Sequence, residues 1–373
     1  MAARGLSRAT KQAILGAVND DLASVPGQRS SSAAGFAAAG FAAAGVSAAG
    51  VSVAGLFPGQ GSHTAGMREL VEAVLPELAS SCIELVGTDP FVHAAQSTRF
   101  AQPAIFCASI AAWTAHTAAA GASAASAGSA SEASEASEAS AGSAASAGSQ
   151  APPLAYAGHS LGELAALVAA GALDLADGLR LSVLRGELMA AAAERDGDGG
   201  MLALIGASQA QCDALLVGHA GIVLANDNAP GQVVLAGAGG RLRELAADAR
   251  GQGLRALVLD VAGAFHSPAM APAVEPFAAA LADVEFDFPR ARVVSCASAA
   301  PFVDIRGELA QAIVKPVRWR ETMSTLAGLG ADAFLDYGPG RVLARLVPRN
   351  LPGARSLEPA LPETATGSTE RAA

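Results

Sequence analysis

Apolar residues recur along the chain in two rhythms. Short apolar runs lie at Val51–Phe57, Leu154–Ala157, Met201–Ile205, Val233–Ala236, Ala256–Val261, Arg292–Cys296 and Ala333–Leu335. These runs have strand length, and turn-forming residues flank many of them. Between them, apolar positions repeat every three to four residues and predict helices over 67–86, 102–117, 162–170, 175–193, 208–217, 240–251, 270–283, 306–314 and 320–329. Strand signals alternating with helix signals predict an α/β fold.

From 199 to 262 the pattern reads β-α-β-α-β, with a turn signal at Asn226-Asp227-Asn228-Ala229-Pro230-Gly231. That stretch is expected to form a small ferredoxin-like subdomain. It would interrupt a larger domain made of 51–198 and 263–358. Three segments fall outside the pattern. Residues 33–55 repeat Ala, Gly and one larger residue, without charge. The length raises a transmembrane question, but Gly, Ala and Ser bury little area and the stretch contains neither Leu nor Ile. The mixed charges before it do not suit a secretory signal. Residues 1–50 are therefore expected to be a flexible low-complexity extension. Residues 118–152, with Ser131–Ser140 reading SEASEASEAS, are expected to be a disordered insert, and 359–373 a flexible tail.

Charge narrows the function classes. The chain holds 24 Lys+Arg against 34 Asp+Glu, a net charge of −10, which argues against a nucleic-acid binder. Cys82, Cys107, Cys212 and Cys296 are far apart and form no CxxC pair. They mark neither a zinc site nor a disulfide framework and fit a reducing cytoplasm. The histidines show no metal spacing, so no metal is expected.

Gly158-His159-Ser160-Leu161-Gly162 matches GxSxG, between the short strand ending at Ala157 and a helical run from Glu163. That is the context of a nucleophile elbow, although in so Gly- and Ser-rich a chain the pattern also arises by chance. A serine nucleophile needs a base. The candidate is His266, in Gly263-Ala264-Phe265-His266-Ser267-Pro268; the alternative is an ordinary loop histidine. His159 is expected to point away from the serine. Asp304 and Asp336 are possible third members of a triad, without a mark that singles out either. Leu56-Phe57-Pro58-Gly59-Gln60-Gly61-Ser62 is a Gly-flanked loop able to present free N–H groups, or a plain turn; no phosphate-loop signature follows it. Arg185 lies in an apolar helical run. It is held by an internal ion pair, snorkels to water, or awaits an anionic ligand.

Read together, these motifs resemble those of the malonyl-CoA:acyl carrier protein transacylase family, including the acyltransferase domains of polyketide synthases. The resemblance rests on Phe57-Pro58-Gly59-Gln60-Gly61-Ser62, Gln102-Pro103-Ala104, Gly158-His159-Ser160-Leu161-Gly162-Glu163, Arg185-Gly186, Ala225-Asn226-Asp227-Asn228, Gly263-Ala264-Phe265-His266-Ser267 and Pro316-Val317-Arg318-Trp319. It runs from about Val53 to Val347. It implies an α/β-hydrolase-like large domain with an inserted ferredoxin-like subdomain. It also implies a Ser160–His266 dyad whose histidine is oriented by a backbone carbonyl. Gln60 and Leu161 would supply oxyanion-hole N–H groups, and Arg185 would hold a malonyl carboxylate.

The implied substrate is malonyl-CoA and the acceptor is the phosphopantetheine thiol of an acyl carrier protein, with no bound cofactor or metal. A cytoplasmic monomer that meets no nucleic acid or membrane is expected. Residues 306–355 carry eight basic and four acidic groups, a surface suited to an acidic carrier. Three positions depart from the family. His63 stands where a Gln is usual, and Ala312 stands where many bacterial members have Gln. Phe265 before the histidine resembles malonyl-selective synthase domains and is expected to narrow the pocket against an α-methyl branch. The alternative activity is an acyl hydrolase that clears carrier proteins with the same Ser and His; a non-catalytic docking module is a second alternative.

Overall fold

The computed structural model describes residues 50–130 and 152–362. Two sheets organise them. The strands are β1 (Val53–Phe57), β2 (Ala155–Gly158), β3 (Gly199–Ile205), β4 (Val223–Ala229), β5 (Gln232–Ala238), β6 (Arg255–Val258), β7 (Arg292–Val294), β8 (Ala333–Asp336) and β9 (Arg355–Leu357). The helices are α1 (Met67–Val74), α2 (Pro76–Val86), α3 (Pro90–His93), α4 (Thr98–Ala130), α5 (Gly162–Ala169) and α6 (Leu175–Asp196). They continue with α7 (Gln209–Gly218), α8 (Gly239–Gly251), α9 (Ala271–Ala282), α10 (Ile305–Ala312), α11 (Trp319–Gly328) and α12 (Val342–Asn350).

The first sheet is wholly parallel, in the order β7-β2-β1-β8-β9. Its strands are short and apolar because both faces are covered. On one face Val53, Phe57, Tyr156 and Leu335 join the large core with α4, α5 and α6. On the other, Leu56, Ala157, Val294 and Phe334 pack with Trp319, Met323, Leu343 and Leu346. Successive residues of one strand thus enter two different cores.

The second sheet is antiparallel, in the order β4-β5-β3-β6, and α7 and α8 bury its apolar side against Leu202, Leu204 and Leu235. The segment runs β-α-β-β-α-β, with one strand more than its sequence pattern suggested. Asn226-Asp227-Asn228-Ala229, read as turn residues, lie in β4, and the reversal falls at Pro230-Gly231. Pairing with β5 on one side and a bridge from Asn226 to Val317 on the other override the local turn preference.

The alanine-rich tract needs a similar correction. α4 continues to Ala130, so residues 118–130 of the expected disordered insert are helical. Alanine cannot fill a core, but it is the best helix former. The remainder of that insert, most of the N-terminal extension and most of the tail lie outside the described residues. The stretch Thr98–Gly121 is long and apolar enough to cross a membrane by composition alone. Its residues Ala104, Ile105, Phe106, Cys107 and Ile110 are fully buried in the large core, so it is packed as a core helix.

Candidate active site

Ser160 sits at the turn from β2 into α5 with φ 56°, in the left-handed region that a non-glycine residue occupies only when its surroundings force it. Both flanking glycines are required by contact. A Cβ on Gly158 would lie 2.0 Å from Glu163 N, and one on Gly162 would lie 2.0 Å from Phe57 O. The turn is further pinned by His159 N donating to Phe57 O (2.8 Å) and by Ser160 N donating to Cys296 Sγ (3.3 Å). Cys296 N in turn donates to Glu163 Oε1 at 2.7 Å. Burial pushes the Glu163 carboxyl up to about 7.

His266 lies between β6 and α9, also in the left-handed region at φ 57°. Its Nε2 is 2.8 Å from Ser160 Oγ. Its Nδ1 is 3.0 Å from both Ala312 O and Lys315 O, so those carbonyls hold the proton on Nδ1 and leave the Nε2 lone pair for the serine. Burial, with the Arg185 charge and His159 adding to it, drives the His266 pKa down to about 3. The imidazole is therefore neutral and able to accept a proton. The carboxylate alternatives are corrected: Asp304 caps α10 by accepting from Gly307 N, and Asp336 accepts from Gly338, Leu343 and Ala344 N. The departure at Ala312 is mild, since that position supplies only its carbonyl.

Arg185 comes from α6 and is 4% exposed. Its Nη2 donates to Ser160 Oγ at 3.0 Å and its Nη1 to Gln102 Oε1 at 2.8 Å. Among the described residues no carboxylate lies within ion-pair distance of it. Burial pulls its pKa down to about 10, and the nearby Glu163 opposes that shift. Of the alternatives left open by the sequence, the internal ion pair and the snorkelling side chain are both excluded. Gln102 lies in the Gln102-Pro103-Ala104 motif, but nothing in the sequence marks it as the partner of Arg185.

These side chains line one cavity of about 620 Å³, bounded by both sheets' elements. Gln60, Leu161 and Phe265 line it with Ser160, Arg185 and His266. Among the described residues, neither the Gln60 N–H nor the Leu161 N–H is committed to a hydrogen bond. His63 is exposed at this cavity and does not bond Arg185. His159 Nε2 is 2.9 Å from Asn228 Oδ1, so this imidazole turns to β4 instead of Ser160. Among the described residues no group of three or more His, Cys, Asp or Glu side chains could hold a metal, and all four cysteines are free and buried.

A serine at a strained strand–helix turn, paired with a neutral histidine in an α/β frame, defines the class of proteins able to pass a group through a serine ester. The family model for the acyl transferase domain matches residues 132–368. The malonyl CoA-acyl carrier protein transacylase of Haemophilus influenzae is 33% identical over 311 residues, covering 79% of this chain and 90% of that protein. The polyketide biosynthesis protein ThaF of Burkholderia thailandensis is 33% identical over 309 residues, 80% of this chain; the chain spans only 24% of ThaF. The crystal structure of the malonyl-CoA:acyl carrier protein transacylase of Xanthomonas oryzae matches with a TM-score of 0.70 at 31% identity, over 83% of this chain and 95% of that one. The chain belongs to the malonyl-CoA:acyl carrier protein transacylase family of acyl transferases.

Proposed function

We propose that this protein transfers a malonyl group from malonyl-CoA to the phosphopantetheine thiol of an acyl carrier protein, serving fatty acid or polyketide synthesis. The observation that carries the malonyl assignment is Arg185: a buried guanidinium without a carboxylate partner among the described residues, hydrogen-bonded to the Oγ of Ser160. A buried cation in that position calls for an anion on the substrate, and a guanidinium fits a carboxylate with two parallel donors.

Ser160 is the nucleophile and His266 the base. His266 Nε2 takes the Oγ proton as Oγ bonds to the thioester carbon. The N–H groups of Gln60 and Leu161 receive the oxyanion. The C–S bond then breaks, and the CoA sulfur takes the proton from Nε2. In the second half-reaction the carrier thiol gives its proton to Nε2, attacks the serine ester and restores Ser160. Phe265 narrows the acyl end of the cavity. No step calls on a metal or a bound cofactor. The same reading treats the frame as an α/β-hydrolase-like domain of 51–198 and 263–358 carrying a ferredoxin-like subdomain of 199–262. It places a monomer in the cytoplasm, consistent with four unpaired cysteines.

The test is mass spectrometry of the protein after brief exposure to malonyl-CoA. A malonyl adduct on Ser160, absent from Ser160→Ala and discharged by holo-carrier protein, is expected. Discharge to water as fast as to the carrier would make the protein a hydrolase.

A further inference from the structure

We propose that Arg345, with Arg349 one turn further along α12, forms a phosphate subsite at the outer part of the active-site cavity. It would take the phosphate ester that ends the pantetheine arm. The inference rests on the acyl-transfer reading above and adds a second anchoring point to it.

α12 lines the cavity from Val342 to Arg349, about 10 Å of helix. Along that wall Val342, Leu343 and Leu346 are apolar, and the two arginines are exposed. The neighbouring cations are already neutralised: Arg318 by Glu321, Arg320 by Asp227 and Arg341 by Glu358. Among the described residues Arg349 meets only the neutral side-chain oxygen of Gln232. Among the described residues Arg345 has no ion pair or hydrogen bond. The cavity's charged lining is thus Arg185 beside Ser160, Arg345 and Arg349 on α12, and the exposed carboxylate Asp260.

A buried cation beside Ser160 and exposed cations on the apolar wall of α12, in one cavity, match a molecule with anions at both ends. A malonyl thioester of phosphopantetheine has that form: a carboxylate, a neutral amide chain, then a phosphate. Guanidinium groups suit both ends. CoA and the carrier's prosthetic arm share this phosphate, so the chemistry alone serves either half-reaction.

The experiment compares malonyl-CoA with malonyl-N-acetylcysteamine, which carries the same thioester and no phosphate. In Arg345→Ala the ratio of kcat/KM for the first over the second is expected to fall roughly threefold to tenfold, through KM, because the side chain is exposed and screened. Arg345→Lys should recover part of it. A second arm measures discharge of the malonyl-enzyme by pantetheine, phosphopantetheine and holo-carrier protein. Loss confined to malonyl-CoA assigns the subsite to CoA; loss with both phosphopantetheine and carrier assigns it to the prosthetic arm. Loss with the carrier alone would make Arg345 a protein-docking residue and overturn the phosphate assignment, as would unchanged ratios throughout. If the unaltered protein accepts malonyl from neither thioester, the acyl-transfer reading itself fails.

Discussion

Replacing Arg185 by methionine keeps most of the side chain's length and removes its charge. In the folded protein, burial holds the guanidinium pKa at about 10, a penalty on the charged form of roughly 3 kcal/mol. The substitution relieves that penalty. It also leaves Gln102 Oε1, now 2.8 Å from Nη1, buried without its donor, at a cost of about 1–3 kcal/mol. The two nearly cancel, so Arg185→Met should fold with a stability within about 2 kcal/mol of the unaltered protein. Activity should change far more. A malonyl carboxylate brought into the site without its partner loses about 2–5 kcal/mol, roughly 30-fold to several-thousand-fold in kcat/KM. Acetyl-CoA has no carboxylate to strand. Its transfer loses only the Nη2 bond to Ser160 Oγ and should fall by less than about tenfold. Arg185→Lys restores charge without the two-pronged geometry and should recover part of the malonyl activity. Single-turnover acylation of Ser160 by each CoA ester, beside urea denaturation of the same preparations, measures all of this. Equal proportional losses for malonyl and acetyl, or a stability loss well beyond 3 kcal/mol, would mark Arg185 as a structural residue and refute the carboxylate clamp.

Other outcomes follow from the same geometry. His266 is neutral in the folded protein down to about pH 3, whereas the unfolded chain protonates it near 6.5, so it withdraws stability as pH falls through that window. Denaturation near pH 7 and near pH 4 should show the unaltered protein losing about 3 kcal/mol more than His266→Asn; equal acid sensitivity would contradict the buried, neutral imidazole. Gly162→Ala forces a Cβ against Phe57 O and should cost more than about 3 kcal/mol or prevent folding, read by thermal unfolding. A shift under 1 kcal/mol would show that the turn can open. Cys296→Ala removes the acceptor of the Ser160 N–H and should slow acylation by a few-fold with little change in KM for malonyl-CoA. A KM effect instead would place Cys296 in substrate binding.

What the sequence made legible was local. GxSxG between a strand and a helix describes a turn whose geometry its own residues dictate, and Gly158 and Gly162 are needed for contacts within a few residues or with the adjacent strand. Arg185 stood out because a cation in an apolar helical run needs an explanation. The residues themselves do not mark the partners of His266, because Ala312 and Lys315 contribute carbonyls, which carry no residue signature and lie 46 and 49 positions away; only the family resemblance pointed to a backbone carbonyl and to position 312. Cys296 was equally silent, an isolated thiol whose role depends on where β7 ends. α12 was missed because Pro348 and two arginines, Arg345 and Arg349, obscure its apolar face of Leu343, Leu346 and Val347. In β4, short polar residues that favour turns were overruled by pairing on both edges of the strand.

One stretch of chain, residues 312–319, answers to both sheets. Ala312 and Lys315 aim His266, while Val317 exchanges two 2.8 Å hydrogen bonds with β4, through Ala225 O and Asp227 N. Trp319 then packs its ring 5.4 Å from His159, the residue before Ser160. The second sheet is therefore no interchangeable module. A graft that replaces 199–262 with the equivalent segment of a relative, to borrow its acyl preference, would carry a foreign β4 against a native Val317. The orientation of His266 would register any mismatch first. Chimeras that move 312–319 together with the segment keep those contacts matched, and they are the natural units of exchange in this protein.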